Sequence, residues 1–239
     1  MTSFINKHDC KFSQRALFAG VAVLFSAANV FADIITQPTS LSPGDTYRLA
    51  FLTSTTHDAL SPDIGVYNTF VDLLGDTVIT SDWRVIGSTS SISARDNTGT
   101  NPSDDPNGVP IFLLNDTKLA DTNTDLWDGT IDVVLNRTEI DTALTTLVWT
   151  GTSPDGSGEL GRELGVGFGM FTAAGGSSST NNNWVFTVLF ASQDSAQFYA
   201  LSGVLQVIPE PGTFTLLLTA LGAVGVMYRG RKQKVAHCG

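Results

Sequence analysis

Cysteine is almost absent from this 239-residue chain: Cys10 and Cys238 sit close to its two ends, and residues 33–208 hold none. That middle stretch is therefore no disulfide scaffold, no four-cysteine zinc site and no cysteine hydrolase. Histidine is nearly as scarce, with His57 alone between the ends, in a Thr-Thr-His-Asp-Ala context, and no Gly-x-Ser-x-Gly elbow occurs anywhere. A Ser-His-Asp hydrolase would rest on that single imidazole, which reads instead as a solvated side chain on a polar loop. Positive charge is short as well: Lys and Arg total 13 against 23 Asp and Glu, a formal net charge of −10. Phosphate recognition needs a basic face, so a nucleic-acid binder is ruled out. Charged residues make up only 15% of the chain, and much of its 42% apolar content lies at the two ends, which must be read separately.

The N-terminal end carries Lys7, His8, Lys11 and Arg15, then thirteen apolar or small residues over 16–28, then Asn29, Val30, Phe31 and Ala32 before Asp33. Thirteen residues of helix reach only about 20 Å, short of the roughly 30 Å hydrocarbon core of a bilayer. With Val30 and Ala32 as the small residues that a signal peptidase accepts, residues 1–32 read as a secretory signal helix cleaved between Ala32 and Asp33. The domain that follows, 33–208, is then exported.

The C-terminal end is a second device. Pro209, Glu210 and Pro211 precede an uncharged apolar stretch over 212–228, and Arg229, Arg231, Lys232 and Lys234 follow it within the tail 229–239. Seventeen residues make about 26 Å of helix, just enough for a transmembrane helix, and the basic cluster would hold the tail in the cytoplasm. A lipid-anchor signal of the GPI type ends on its apolar segment, and this chain continues past it. Two prolines keep 209–211 extended and outside the helix, as a protease cleft requires of its substrate.

Motif, apolar helix and basic end, in that order within 209–239, resemble the PEP-CTERM sorting signal, with Pro209, Glu210 and Pro211 as the matching positions. The resemblance implies a bacterial exported protein handled by an exosortase, a membrane peptidase-transferase that processes the tail and passes the protein to the cell surface. It further implies a host that makes extracellular polysaccharide, and exopolysaccharide as a partner. The alternative is a plain single-pass anchor with an incidental Pro-Glu-Pro.

Trimmed to 33–208, the chain has six basic residues against 21 acidic ones, a net charge of −15. Eighteen of the acids are Asp, a bias toward turns and caps that predicts a loop-rich domain. Such a surface meets an acidic polysaccharide only through bridging cations. Residues 46–53 alternate and predict a first strand. Ser61, Pro62 and Asp63 predict a helix start with Ser61 as N-cap, and Ile64, Tyr67, Phe70, Val71 and Leu74 ahead of Gly75 supply its apolar face. Further strands are predicted over 82–86, 109–114, 147–150, 184–190 and 198–201. Residues 96–108 and 175–183 read as polar loops that bury little, and 137–146 as a short helix capped by Thr138. One strand, a helix, then several strands predict a single α+β domain, with an all-β sandwich as the alternative.

Val109 to Phe112, Lys118 to Ala120, Leu126 to Gly129, the Val148-Trp149-Thr150-Gly151-Thr152-Ser153-Pro154-Asp155-Gly156 turn, Trp184 and Phe198 to Leu201 resemble, in order and spacing, the endostatin-like branch of the C-type-lectin-like fold. The resemblance spans about 46–205 and implies a lectin-like architecture. It supplies no ligand: that family's paired cysteines, basic face and zinc-binding histidines have no counterparts here.

Three kinds of chemistry have candidate residues in this stretch. Asp121, Asn123, Asp125 and Asp128 place oxygen ligands at nearly alternate positions, as Ca²⁺ prefers, although an EF-hand would need glycine where Leu126 stands and glutamate at Asp132. Trp127, beside that turn, is the candidate for stacking on a sugar ring, although the apolar neighbours of Trp83, Trp127, Trp149 and Trp184 favour core packing for all four. Glu159 and Glu163 read as surface charges and not as a glycosidase pair. The leading expectation is a non-enzymatic exported envelope or matrix protein with no cofactor. A Ca²⁺-dependent or carbohydrate-binding lectin-like module is second, and an extracellular hydrolase third.

Overall fold

Strand β1 (Thr46–Leu52) is the hub of the domain, because its alternating side chains are buried on both faces. Tyr47, Leu49 and Phe51 enter one apolar cluster, and Ala50 and Leu52 enter a second on the opposite face. A two-residue side-chain period forces that division once neighbours cover both sides of a strand. The computed structural model of the protein describes residues 34–209. The signal helix 1–32, the cleavage point at Ala32 and Asp33, Glu210, Pro211, the apolar stretch 212–228 and the basic residues Arg229, Arg231, Lys232 and Lys234 lie outside them. Among the described residues no helix is long and apolar enough to cross a membrane.

The described part is mostly β and loop-rich, with one mixed sheet and few helices. Beside β1 lie β3 (Ile111–Leu113), parallel, and β8 (Gln197–Leu201), antiparallel, with Arg48 opposite Ile111 and Ala50 opposite Leu201. The sheet continues through β5 (Leu147–Trp149), β6 (Phe171–Gly176) and β7 (Val188–Ala191) on one side and β4 (Lys118–Ala120) on the other. Two short strands complete it: β2 (Arg84–Val85) pairs with β8, and β9 (Leu205–Gln206) pairs with the start of β1.

Helix α1 (Ile64–Gly75) lays Tyr67 and Val71 on the first cluster, with Phe70 and Leu74 partly buried beside them. Its N-cap is Asp63, whose carboxylate accepts the Gly65 N–H at 2.9 Å, and not the expected Ser61. The Ser61 hydroxyl is instead engaged one turn earlier, accepting the Asp63 N–H at 3.1 Å. Gly75 ends the helix against Trp83, since a Cβ there would lie 2.4 Å from the indole.

Several expectations fail for identifiable reasons. No helix forms over 137–146: Thr138 pairs with Leu52, Arg137 with Ala143, and the Thr138 hydroxyl accepts the Thr142 N–H at 3.0 Å to close a turn. Ile140, the anchor of the expected apolar stripe, is 62% exposed. The run 175–183 is only partly loop, because β6 extends to Gly176, and Gly175 is what lets it pass Trp184: a Cβ there would lie 1.9 Å from the Trp184 carbonyl oxygen. Trp184 itself ends a 3-10 turn (Asn182–Trp184), and the strand expected over 184–190 begins at Val188. The polar loops also bury more than expected, with Asn97, Thr98, Thr100 and Ser177 all inside. Helices α2 (Ala94–Asn97) and α3 (Asn123–Leu126), capped by Ser93 and Thr122, are additions.

Candidate functional site

The chain leaves the described domain along β9, where its backbone is fastened to the residues just before β1. Val207 donates its N–H to the Asp45 carbonyl and accepts the Gly44 N–H, both at 2.9 Å. The turn that presents these groups needs Gly44, whose φ is +98°, and is closed by the Asp45 N–H on the Ser42 carbonyl at 3.0 Å. Gln206 adds its side-chain N–H to the Gly44 carbonyl at 3.0 Å, and the Ile208 N–H donates to Gln37 Oε1 at 2.9 Å.

Gln37 is held in turn by the segment at the other end of the domain. Ile35 donates its N–H to the Leu114 carbonyl at 2.7 Å, and the Tyr47 hydroxyl donates to the Thr36 carbonyl at 2.5 Å. Thr39 bonds Asp116 through both its N–H, at 2.9 Å, and its hydroxyl. Thr36, Gln37, Tyr47, Ile79, Leu205 and Ile208 line a cavity of about 380 Å³ at this junction. Val207 is buried at 8% exposure, while Val204 and Ile208 stand 54% and 68% exposed, and Pro209 follows on the surface.

The Asp-rich turn divides the expected calcium ligands. Asp121 and Asp125 come together and are joined by Asp132, with one carboxylate oxygen of each within 4.8 Å of the others. Asp132 arrives there because its N–H bonds the Leu119 carbonyl at 2.9 Å, returning the chain to β4. The group is partly compensated already: the Lys118 ammonium bonds Asp121 Oδ1 at 2.6 Å, and the Asp121 N–H bonds Asp125 Oδ2 at 2.7 Å. The hydrogen bond to Asp121, with the charges of Asp121, Asp132 and Asp125, holds the Lys118 amine above its ordinary pKa. The ammonium thereby occupies one of the carboxylate oxygens on which a hard cation would draw.

Asn123 and Asp128 stand apart from the group. The Asn123 amide is buried, donating to the Asp105 carbonyl at 2.8 Å, and Asp128 Oδ1 accepts the Thr130 N–H and hydroxyl at 2.9 Å each. Trp127 requires a correction. At 5% exposure, it donates its indole N–H to Thr100 at 2.9 Å, packs on Trp184 with ring centroids 5.7 Å apart, and lies flush against Gly156. Its ring is core and offers no open face to a sugar.

His57 is packed between Tyr67 and Phe70, centroids 5.8 and 5.3 Å away, with Nδ1 at 2.9 Å from the Asp58 carbonyl. Glu159 accepts the Ser153 hydroxyl across the 153–159 turn.

Residues 207–232 match the family model for the PEP-CTERM protein-sorting motif. No curated protein matches the chain. The matched stretch takes in Pro209, Glu210 and Pro211, and its first two residues, Val207 and Ile208, are those that the domain fastens to Asp45, Gly44 and Gln37. The motif marks this chain as an exported, envelope-associated protein that an exosortase sorts.

Proposed function

We propose that the protein is a non-enzymatic component of the bacterial cell envelope or extracellular matrix. Signal peptidase frees its N-terminus at Asp33, the apolar stretch 212–228 holds the precursor in the membrane with 229–239 in the cytoplasm, and an exosortase-type peptidase removes the tail. The observation that carries this reading is the sorting match over 207–232, which begins where the folded domain ends. The 176 exported residues keep their net charge of −15, so contact with an acidic exopolysaccharide runs through bridging cations. A lectin-like architecture belongs to the same proposal. Its support is the resemblance around Val148 to Gly156, where the Gly156 N–H closes a turn on the Ser153 carbonyl at 2.9 Å and Gly156 takes a φ of +81°.

The test is a double variant, Pro209→Ala with Glu210→Ala, expressed in the native host. The expected result is precursor retained in the membrane fraction with its tail attached. A mature mass and location equal to those of the unaltered protein would leave only a plain single-pass anchor.

A further inference from the structure

The sorting motif starts with no spacer: Ile208, the last residue bonded to the sheet edge, directly precedes Pro209. At roughly 3.5 Å per extended residue, three residues of chain reach at most about 10 Å, so the motif cannot stand far from that anchor. An extended peptide in a peptidase cleft offers its backbone N–H and C=O groups to the enzyme, as a strand does to a sheet edge. Upstream of Pro209, which has no N–H of its own, the nearest such groups belong to Val207 and Ile208, and the domain already uses three of them. The Val207 N–H donates to the Asp45 carbonyl, the Val207 carbonyl accepts the Gly44 N–H, and the Ile208 N–H donates to Gln37.

We infer that the 205–208 segment is a strap that restrains processing of the sorting signal, and that Gln37 is its positioning residue. The inference rests on the reading of this chain as an exosortase substrate and adds the residues that set the rate. Tail removal breaks one peptide bond near the motif: the acyl group passes to water or an acceptor amine, and the tail leaves with a new amino terminus. The strap takes no part in that chemistry. It must open first, by local unfolding of β9 from the start of β1, before the enzyme grips the backbone. Gln37, five residues from the signal-peptide junction, reaches Ile208 from a segment that Ile35 and Thr36 dock on Leu114 and Tyr47.

A pulse-chase of the full chain in its host, following precursor and mature masses, tests this. Gln37→Leu removes the acceptor for the Ile208 N–H and speeds processing by about threefold to tenfold, the range of one net hydrogen bond. Gln37→Glu keeps an acceptor oxygen and retains the native rate. A Gly-Ser-Gly-Ser insertion between Ile208 and Pro209 speeds processing further, and in that background Gln37→Leu adds nothing. Native or slower rates for both Gln37→Leu and the insertion would overturn the strap; if Gln37→Leu fails to be exported, the insertion alone decides. The Pro209→Ala, Glu210→Ala control separates the two readings. If it is processed like the native chain, the sorting reading has failed; if it blocks processing while the strap variants change nothing, only the strap has.

Discussion

Ile208 donates its backbone N–H to Gln37 Oε1 at 2.9 Å, joining residues 171 positions apart. The two ends of the exported domain are thereby tied at one edge of the sheet. The reciprocal pair between Val207 and Gly44–Asp45 makes that tie cooperative, so its amides should exchange as a unit. Hydrogen exchange on the exported domain should show the Val207 and Gly44 amides protected together, with both losing about threefold to tenfold on Gln37→Leu. Unchanged protection would show that Gln37 holds nothing.

Two buried tyrosines should respond oppositely to loss of their hydroxyls. The Tyr199 hydroxyl is buried with no hydrogen-bond partner among the described residues. Tyr199→Phe should therefore raise stability by about 1 kcal/mol. Tyr67 donates to the Ser61 carbonyl at 2.9 Å and accepts the Ser61 N–H at 2.8 Å. Tyr67→Phe should cost about 1–2 kcal/mol by stranding both groups. Urea midpoints of the two variants check the signs; equal destabilisation would contradict the assignment.

Burial also places both phenols, and that of Tyr47, above the ordinary tyrosine pKa. A folded-state pKa raised above the unfolded value means that the unfolded chain ionises first. The stabilisation is fully present below about pH 10 and is lost as pH climbs beyond it. The melting temperature should fall from about pH 10 upward, with phenolate absorbance from these side chains appearing only on unfolding. A flat Tm through this range would contradict their burial.

Gly156 sits at φ +81°, and a Cβ there would lie 2.6 Å from the Trp127 ring. Gly156→Ala combines backbone strain with overpacking of a rigid indole and should destabilise by about 2–4 kcal/mol. Gly161, at φ +72° with open space around it, meets only the strain, so Gly161→Ala should cost about 1 kcal/mol. Equal melting points for the two variants would remove Trp127 from the core.

The Lys118 ammonium occupies Asp121 Oδ1, one of the oxygens that Asp121, Asp125 and Asp132 bring together and that a divalent ion would need. Millimolar Ca²⁺ should therefore raise the Tm of Lys118→Ala more than that of the native chain, through linkage to the folded state. Equal shifts would mean that the ammonium does not guard these oxygens.

The elements legible in the sequence are those whose pattern is local. Strand β1 shows its alternation, α1 shows a Pro62-Asp63 start ahead of a spaced apolar face, and β8 shows a compact aromatic run. Helices α2 and α3 carry a readable signal, overlaid for α2 by the polar loop that starts at Asp96 and for α3 by the oxygen-rich 121–128 turn. Ser93 with Asp96, and Thr122 with Asp125, are a hydroxyl cap followed three residues later by an acid. Strand β6 was hidden by Gly175 and Gly176, which read as loop although close passage of Trp184 requires the first of them. The sorting motif was legible because it is linear. Its strap was not, because Gln37 acquires its role only when the fold brings Ile208 to it. Trp127 lies between these cases: its apolar neighbours point to the core, but the contacts with Thr100, Trp184 and Gly156 that bury it and exclude a sugar come from distant segments.

Export and sorting by the C-terminal signal leave their record in the mature chain's two ends. The most direct measurement is the intact mass of the native protein from its own host, after separation of membrane, surface polymer and medium. The expected result is a chain that begins at Asp33, ends near Pro211 and is recovered outside the membrane. A chain that runs on to Gly239 and is found only in the membrane would contradict it.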